Sequence, residues 1–129
     1  MEQRMEVVRR RIAFDTDPVA YTEKVREETE AMRSRIEKAR ELLPKVTADD
    51  SILKAVVTVT TNFGIDGHRA DITMMKAAKA NAALGGRTSV EKDDIRAVAA
   101  LVLSHRMRRR PFEEEAFDTE ELERCLQSI

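Results

Sequence analysis

The residues of this sequence best suited to meet an anion lie in Gly64-Ile65-Asp66-Gly67-His68-Arg69-Ala70-Asp71, where glycines frame a short loop and an arginine falls in the first turn of the next helix. A helix N-terminus carries partial positive charge, so a cation there is unfavourable unless something negative faces it. Two kinds of partner satisfy Arg69. One is a phosphate, whose oxygens suit the guanidinium fork; the other is a neighbouring carboxylate, Asp66 or Asp71. The residues alone leave both open, with the local ion pair somewhat ahead.

Other reactive chemistry is thinly represented. There is no Gly-rich phosphate loop ending in Lys-Ser/Thr, no Gly-x-Ser-x-Gly elbow and no paired-His motif. His68 and His105 stand far apart and read as packed or solvated residues, so no metal site is expected. Cys125, beside Arg124, reads as an inert, half-exposed thiol on a surface helix. Arg106, Arg108, Arg109 and Arg110 form a basic cluster ahead of the acidic stretch Glu113 to Glu123. Cations at a helix C-terminus are favourable, and that is the simpler account. The sharper one makes these four arginines a subunit interface facing an acidic neighbour. One basic turn beside an acidic tail, without aromatic stacking residues, gives nucleic acid little to bind, and none is expected.

Helical elements must position these groups. Met5, Val8 and Ile12 fall at helical spacing within residues 1–14. Asp17-Pro18 caps and starts a second helix over 19–43, with Tyr21, Val25, Met32, Ile36, Ala39 and Leu43 as its stripe and Pro44 as its stop. Thr47 with Asp50 three positions on opens a third helix through Ile52, Leu53, Val56, Val57 and Val59 to Phe63-Gly64. Its β-branched run, 56–61, could be a strand by propensity, but the cap and the Ile52/Val56 spacing favour helix. A fourth helix over 67–84 turns Ile72, Met75, Ala78 and Ala82 to one side and ends at Gly85-Gly86. A fifth follows Thr88-Ser89, carrying Ile95, Val98, Val102 and His105 inward. Leu122, Leu126 and Ile129 form a weak stripe for a short closing helix. The expected fold is all-α: a bundle of four main helices with short terminal ones, divided as 1–14, 15–112 and 113–129.

Composition agrees. The 129 residues are 36% charged and only 4% aromatic, with four Gly and three Pro, a helical balance with an aliphatic core. Lys and Arg number 23 against 24 Asp and Glu, so no global field draws the chain to nucleic acid or an anionic membrane. No apolar run approaches the ~20 residues a membrane span needs. With one cysteine and no leader-like start, a cytoplasmic location is expected.

Several segments together resemble the C-terminal helical lid of magnesium-chelatase ATPase subunits of the AAA+ class: Gly67-His68-Arg69-Ala70-Asp71, Lys76-Ala77-Ala78-Lys79-Ala80, Gly86-Arg87-Thr88, Asp93-Asp94-Ile95-Arg96 and His105 to Pro111. Glu6 to Arg11 followed by Asp15-Thr16-Asp17-Pro18 resembles the link between ATPase core and lid. The resemblance covers nearly the whole chain. It implies a ring-forming, I-type subunit that works with D-type and H-type subunits to insert a metal into a tetrapyrrole. It also implies that Arg69 is the sensor-2 arginine reaching the γ-phosphate of ATP, with Gly67, His68 and Asp71 near the nucleotide. His68 stands where Leu is common and Ala70 where Gly is common, which is similar to chelatase-type ATPases of non-photosynthetic prokaryotes, including a cobalt-chelatase branch. On this resemblance the phosphate-binding core lies upstream, ATP and Mg²⁺ belong to the longer protein, and this segment alone does not turn over ATP. A MoxR-type lid and a stand-alone adaptor module are the alternatives.

Overall fold

The computed structural model describes residues 1–107 and 117–128. The chain forms two compact units, Met1–Glu37 and Lys38–Ile129. Among the described residues there are seven α-helices and no strand, only a single parallel bridge between Thr47 and Ser89.

The first unit holds α1 (Glu2–Thr16), α2 (Pro18–Lys24) and most of α3 (Arg26–Leu42). Asp17 accepts the Ala20 N–H at 3.0 Å, and Pro18 occupies the first helical position, where no N–H is required. The single helix expected over 19–43 is interrupted at Val25, whose ψ is 4°. Two threonines supply a reason, because Thr22 donates to the Pro18 carbonyl at 2.7 Å and Thr29 to the Val25 carbonyl at 3.0 Å. Such back-bonding bends a helix even where, as at Val25, the carbonyl keeps its ladder bond, here from the Thr29 N–H at 3.0 Å. On α1, Met5, Val8 and Ile12 remain exposed, while Glu6–Arg10 and Arg11–Asp15 pair along the helix.

The second unit is built from a 3₁₀ turn (Leu43–Lys45), α4 (Asp50–Asn62), α5 (His68–Leu84), α6 (Lys92–Leu103) and α7 (Thr119–Gln127). α4 contacts α5, α6 and α7, and α5 lies along α6. Met74, Ile95, Leu103, Leu126, Val56 and Val59 are fully buried. Burying each such side chain contributes about 1.5–3 kcal/mol. Ala70, Ala78, Ala82 and Ala83 of α5 and Ala99 of α6 are buried as well, and their size lets the backbones approach closely. The β-branched run of α4 is helical, as its apolar spacing requires, because Val56 and Val59 face the core on one side.

Three expectations shift in register. The cap of α4 is Asp49, which accepts the Ile52 N–H at 3.0 Å; Thr47 instead exchanges backbone bonds with Thr88 and Val90 at 2.9 Å each. The buried stripe of α5 is Ala70, Met74, Ala78 and Ala82, so Ile72 is 55% exposed and Met75 only half-buried. α6 ends at Leu103, which leaves His105 in the following turn, exposed and not inward.

Glycines end two of these helices. Gly64 (φ 64°) and Gly86 (φ 74°) each stand one residue past the C-cap of a helix, and the paired bonds Gly64 N to Thr61 O, Ile65 N to Thr60 O, Gly86 N to Ala83 O and Arg87 N to Ala82 O close both ends. A Cβ at Gly86 would meet nothing within 4 Å, so only its backbone conformation resists substitution. Gly86→Ala is expected to cost about 1 kcal/mol, read as a lower thermal midpoint.

A buried carboxylate joins α5 to α6. Asp94, fully buried, accepts from both terminal nitrogens of Arg87 at 2.8 and 2.6 Å, from Asn81 at 2.8 Å and from the Glu91 N–H at 2.8 Å. Burial pushes the carboxyl up, but these donors together outweigh it and hold it below its ordinary value. Glu123 is likewise held low by its bond from Arg96, and Asp49 by Ser51 and the Ile52 N–H. For carboxylates depressed in the folded state, the stabilisation is complete above the unfolded value near ~4 and disappears as pH falls through the lower folded values. The thermal midpoint should therefore hold from neutral pH down to about 5 and fall steeply below ~4, measured by circular dichroism.

Candidate functional site

The α4–α5 corner gathers the residues singled out from the sequence. Gly64 follows α4, and Gly67 precedes α5 with φ 88°, ψ 159°, so two positive-φ glycines bracket Ile65-Asp66 within the five residues that join the helices. Gly67 places no side chain over the first turn of α5. His68 and Arg69 are the first two helical residues, and both are exposed, His68 with 97% of its side chain in solvent.

Asp71 faces the other way. Its Oδ1 accepts the Thr60 hydroxyl at 2.5 Å, and Thr60 is a buried residue of α4. Its Oδ2 lies 3.6 Å from His68 Nδ1. The Asp71 carboxylate is thus bonded to Thr60, and among the described residues the Arg69 guanidinium makes no ion pair with it. Gly67, His68, Arg69 and Asp71 are brought together at one helix start. What that arrangement offers is a solvent-facing guanidinium on a turn whose N–H groups and dipole also favour an anion.

The second cluster is only partly described. Arg106 is half-buried and donates to the Val102 carbonyl at 3.1 Å, which fits the helix-end role for a cation. Arg108, Arg109 and Arg110 lie outside the described residues. Cys125 departs from expectation: it is 3% exposed, and Asn62 of α4 donates to its Sγ at 3.1 Å, so α7 packs into the bundle and is no surface appendage. Lys92 donates to the Leu126 carbonyl at 2.9 Å, and Arg96 grips Glu123 with two nitrogens. Among the described residues, no group of three or more His, Cys, Asp or Glu side chains converges, and no helix is long and apolar enough to cross a membrane.

Sequence reasoning quoted Arg87 and Asp94 without giving them a role, and passed over Thr60 and Asn81. An Arg directly after a Gly-Gly helix end and seven residues before an Asp was the available signal for the first pair. Thr60 gave none, since a threonine in a Val/Thr run carries no mark of its partner eleven residues on.

Comparison with known proteins gives concordant findings. Residues 53–125 match the model of the family described as "AAA lid domain". Over 126 residues the chain is 44% identical to the "Magnesium-chelatase subunit ChlI homolog" of Methanocaldococcus jannaschii, covering 98% of this chain and 34% of that protein. It is 42% identical over 114 residues to the "Magnesium-chelatase 38 kDa subunit" of Rhodobacter capsulatus, covering 88% of this chain and 33% of that one. It is 36% identical over 126 residues to an uncharacterized protein of Mycobacterium tuberculosis, covering 98% of this chain and 20% of that protein. The chain thus spans about a third or less of the length of these relatives.

Proposed function

This chain belongs to the AAA lid domain family, and we propose from that membership that it is the nucleotide-sensing lid of a magnesium-chelatase-type ATPase subunit. The observation that supports Arg69 as its sensor is the exposed guanidinium at the start of α5, which makes no ion pair among the described residues, while the adjacent Asp71 carboxylate is bonded to Thr60. A long arginine left solvated at the positive end of a helix suits a phosphate brought to it by another part of the protein.

In this reading ATP and its Mg²⁺ sit on an upstream core, and ATP supplies the phosphoryl group that is transferred to water. The residues of this chain do three things there. Arg69 places positive charge against the γ-phosphate oxygens, where negative charge must be balanced during hydrolysis. Gly67 leaves the turn open to a phosphate, because no Cβ stands over it. His68 and Asp71 line the same turn. A lid in contact with the γ-phosphate changes its contacts when that group leaves, and so reports nucleotide state to the rest of a homo-oligomeric ring.

Metal insertion into a tetrapyrrole, D-type and H-type partner subunits and a cytoplasmic location are part of this proposal. They rest on the names of the relatives and on the family resemblance. The Arg106, Arg108, Arg109 and Arg110 cluster is proposed as a contact to an acidic surface of the neighbouring subunit, and residues 1–14 as the link to the core.

Replacing Arg69 by Ala in the longer subunit tests the proposal, with ATP hydrolysis and nucleotide affinity measured beside wild type. Loss of hydrolysis with the lid still folded supports it. Unchanged hydrolysis overturns the sensor assignment.

A further inference from the structure

Arg69 can act on a phosphate only if the first turn of α5 is held at a fixed rotation, and the structure shows what holds it. Gly67 contributes no side-chain cap to that turn. Among the described residues, the side-chain hydrogen bond that ties it to the bundle is that of Asp71, which accepts from Thr60 at 2.5 Å. Thr60 is 2% exposed and sits in the last turn of α4, so the tie is anchored in the core. Residues two apart stand about 200° from each other around a helix. Drawing Asp71 toward α4 therefore turns Arg69 outward, and it does so without neutralising the guanidinium. Ala70, between them, is buried and allows α5 to sit close enough to α4 for a direct bond.

We propose that Thr60 and Asp71 are a positioning pair for the nucleotide reaction: their bond sets the direction in which Arg69 meets the γ-phosphate. This rests on the sensor reading of Arg69 given above. The pair touches no nucleotide itself. It is the link by which a shift of the first turn of α5 is passed to α4, and from Asn62 of α4 to Cys125 of α7.

The test is made in the full-length subunit with ATP and Mg²⁺, using Thr60→Val, Thr60→Ser, Asp71→Ala and Arg69→Ala. Thr60→Val removes the donor, and Asp71→Ala the acceptor. Asp71→Ala is the variant least prone to unfold the lid, since the freed Thr60 hydroxyl already lies 3.2 Å from the Val56 carbonyl and 3.1 Å from that of Val57. Each should lower kcat about tenfold or more, as small misplacements of a reacting group do, with little change in KM. Thr60→Ser keeps the hydroxyl and should recover most of that loss. Amide hydrogen exchange in the same variants should quicken at residues 68–73 while α6 stays protected.

The decisive arm is the double variant. If the pair acts through Arg69, adding Asp71→Ala or Thr60→Val to Arg69→Ala changes hydrolysis no further. A loss that persists undiminished in the Arg69→Ala background, or wild-type kcat in both Asp71→Ala and Thr60→Val, overturns the positioning role while leaving the sensor reading intact. Wild-type hydrolysis in Arg69→Ala alone overturns the sensor reading, and this proposal with it.

Discussion

Asp94→Ala should lower the stability of the helical unit by about 3 kcal/mol, the largest loss expected from any single polar substitution in it. The carboxylate is fully buried and takes four bonds, from Arg87, Asn81 and the Glu91 N–H. Removing it leaves the Asn81 amide and the Glu91 N–H without their acceptor and the Arg87 guanidinium without its counter-charge. Arg87 keeps 34% of its side chain in solvent and recovers water, which places the cost at the low end for a broken buried pair. For a unit of this size the thermal midpoint should fall by roughly 15 °C. Asp94→Asn keeps one oxygen for Asn81 or Glu91 but turns an NH₂ group toward Arg87, so it should fall between wild type and Ala. Thermal melts of the three proteins at pH 7 decide the matter, and equal midpoints for wild type and Asp94→Ala would rule out the buried pair as a mainstay of the α5–α6 packing.

That pair also shows where sequence reading stops. Local chemistry was legible at the Asp17-Pro18 start, at the glycine stops at 64 and 86, and in the helical reading of residues 56–61. Partners separated by a loop were not. The α5 stripe is an example, since Met74 and Met75 are adjacent and alanines stand on every side, so composition does not fix which face turns inward. The Thr60–Asp71 bond and the contact with α6 fix it, and both are tertiary. Thr47 looked like a cap because its hydroxyl precedes an acidic residue by three; the bridge to Ser89 used its backbone instead. His105 continued the apolar spacing of α6, but the helix stops two residues short of it. Cys125 looked half-exposed because it stands beside Arg124 on an expected surface helix, yet with Leu122 and Leu126 it forms one buried face of α7. The turn bearing Arg69 and its Asp71 were visible from the sequence, while Thr60, the α4 partner of Asp71, was not.

Arg69→Ala should separate function from stability more sharply than any other change. The side chain is exposed and makes no ion pair among the described residues, and a cation in the first turn opposes the helix dipole, so its removal should leave the thermal midpoint unchanged or slightly raised. Hydrolysis should move the other way. Loss of one charged donor to a transition state that gathers negative charge costs about 10²–10³-fold in kcat. If the contact forms fully only as the γ-phosphate departs, KM for ATP changes much less than kcat. Arg69→Lys keeps the charge but not the two-pronged fork, and should recover only part of the rate. A midpoint that rises or holds while kcat collapses is the pattern of a residue kept for chemistry at some expense to the fold. The reverse pattern, a fallen midpoint with kcat retained, would make Arg69 a structural residue and would move the search for the phosphate contact away from the start of α5.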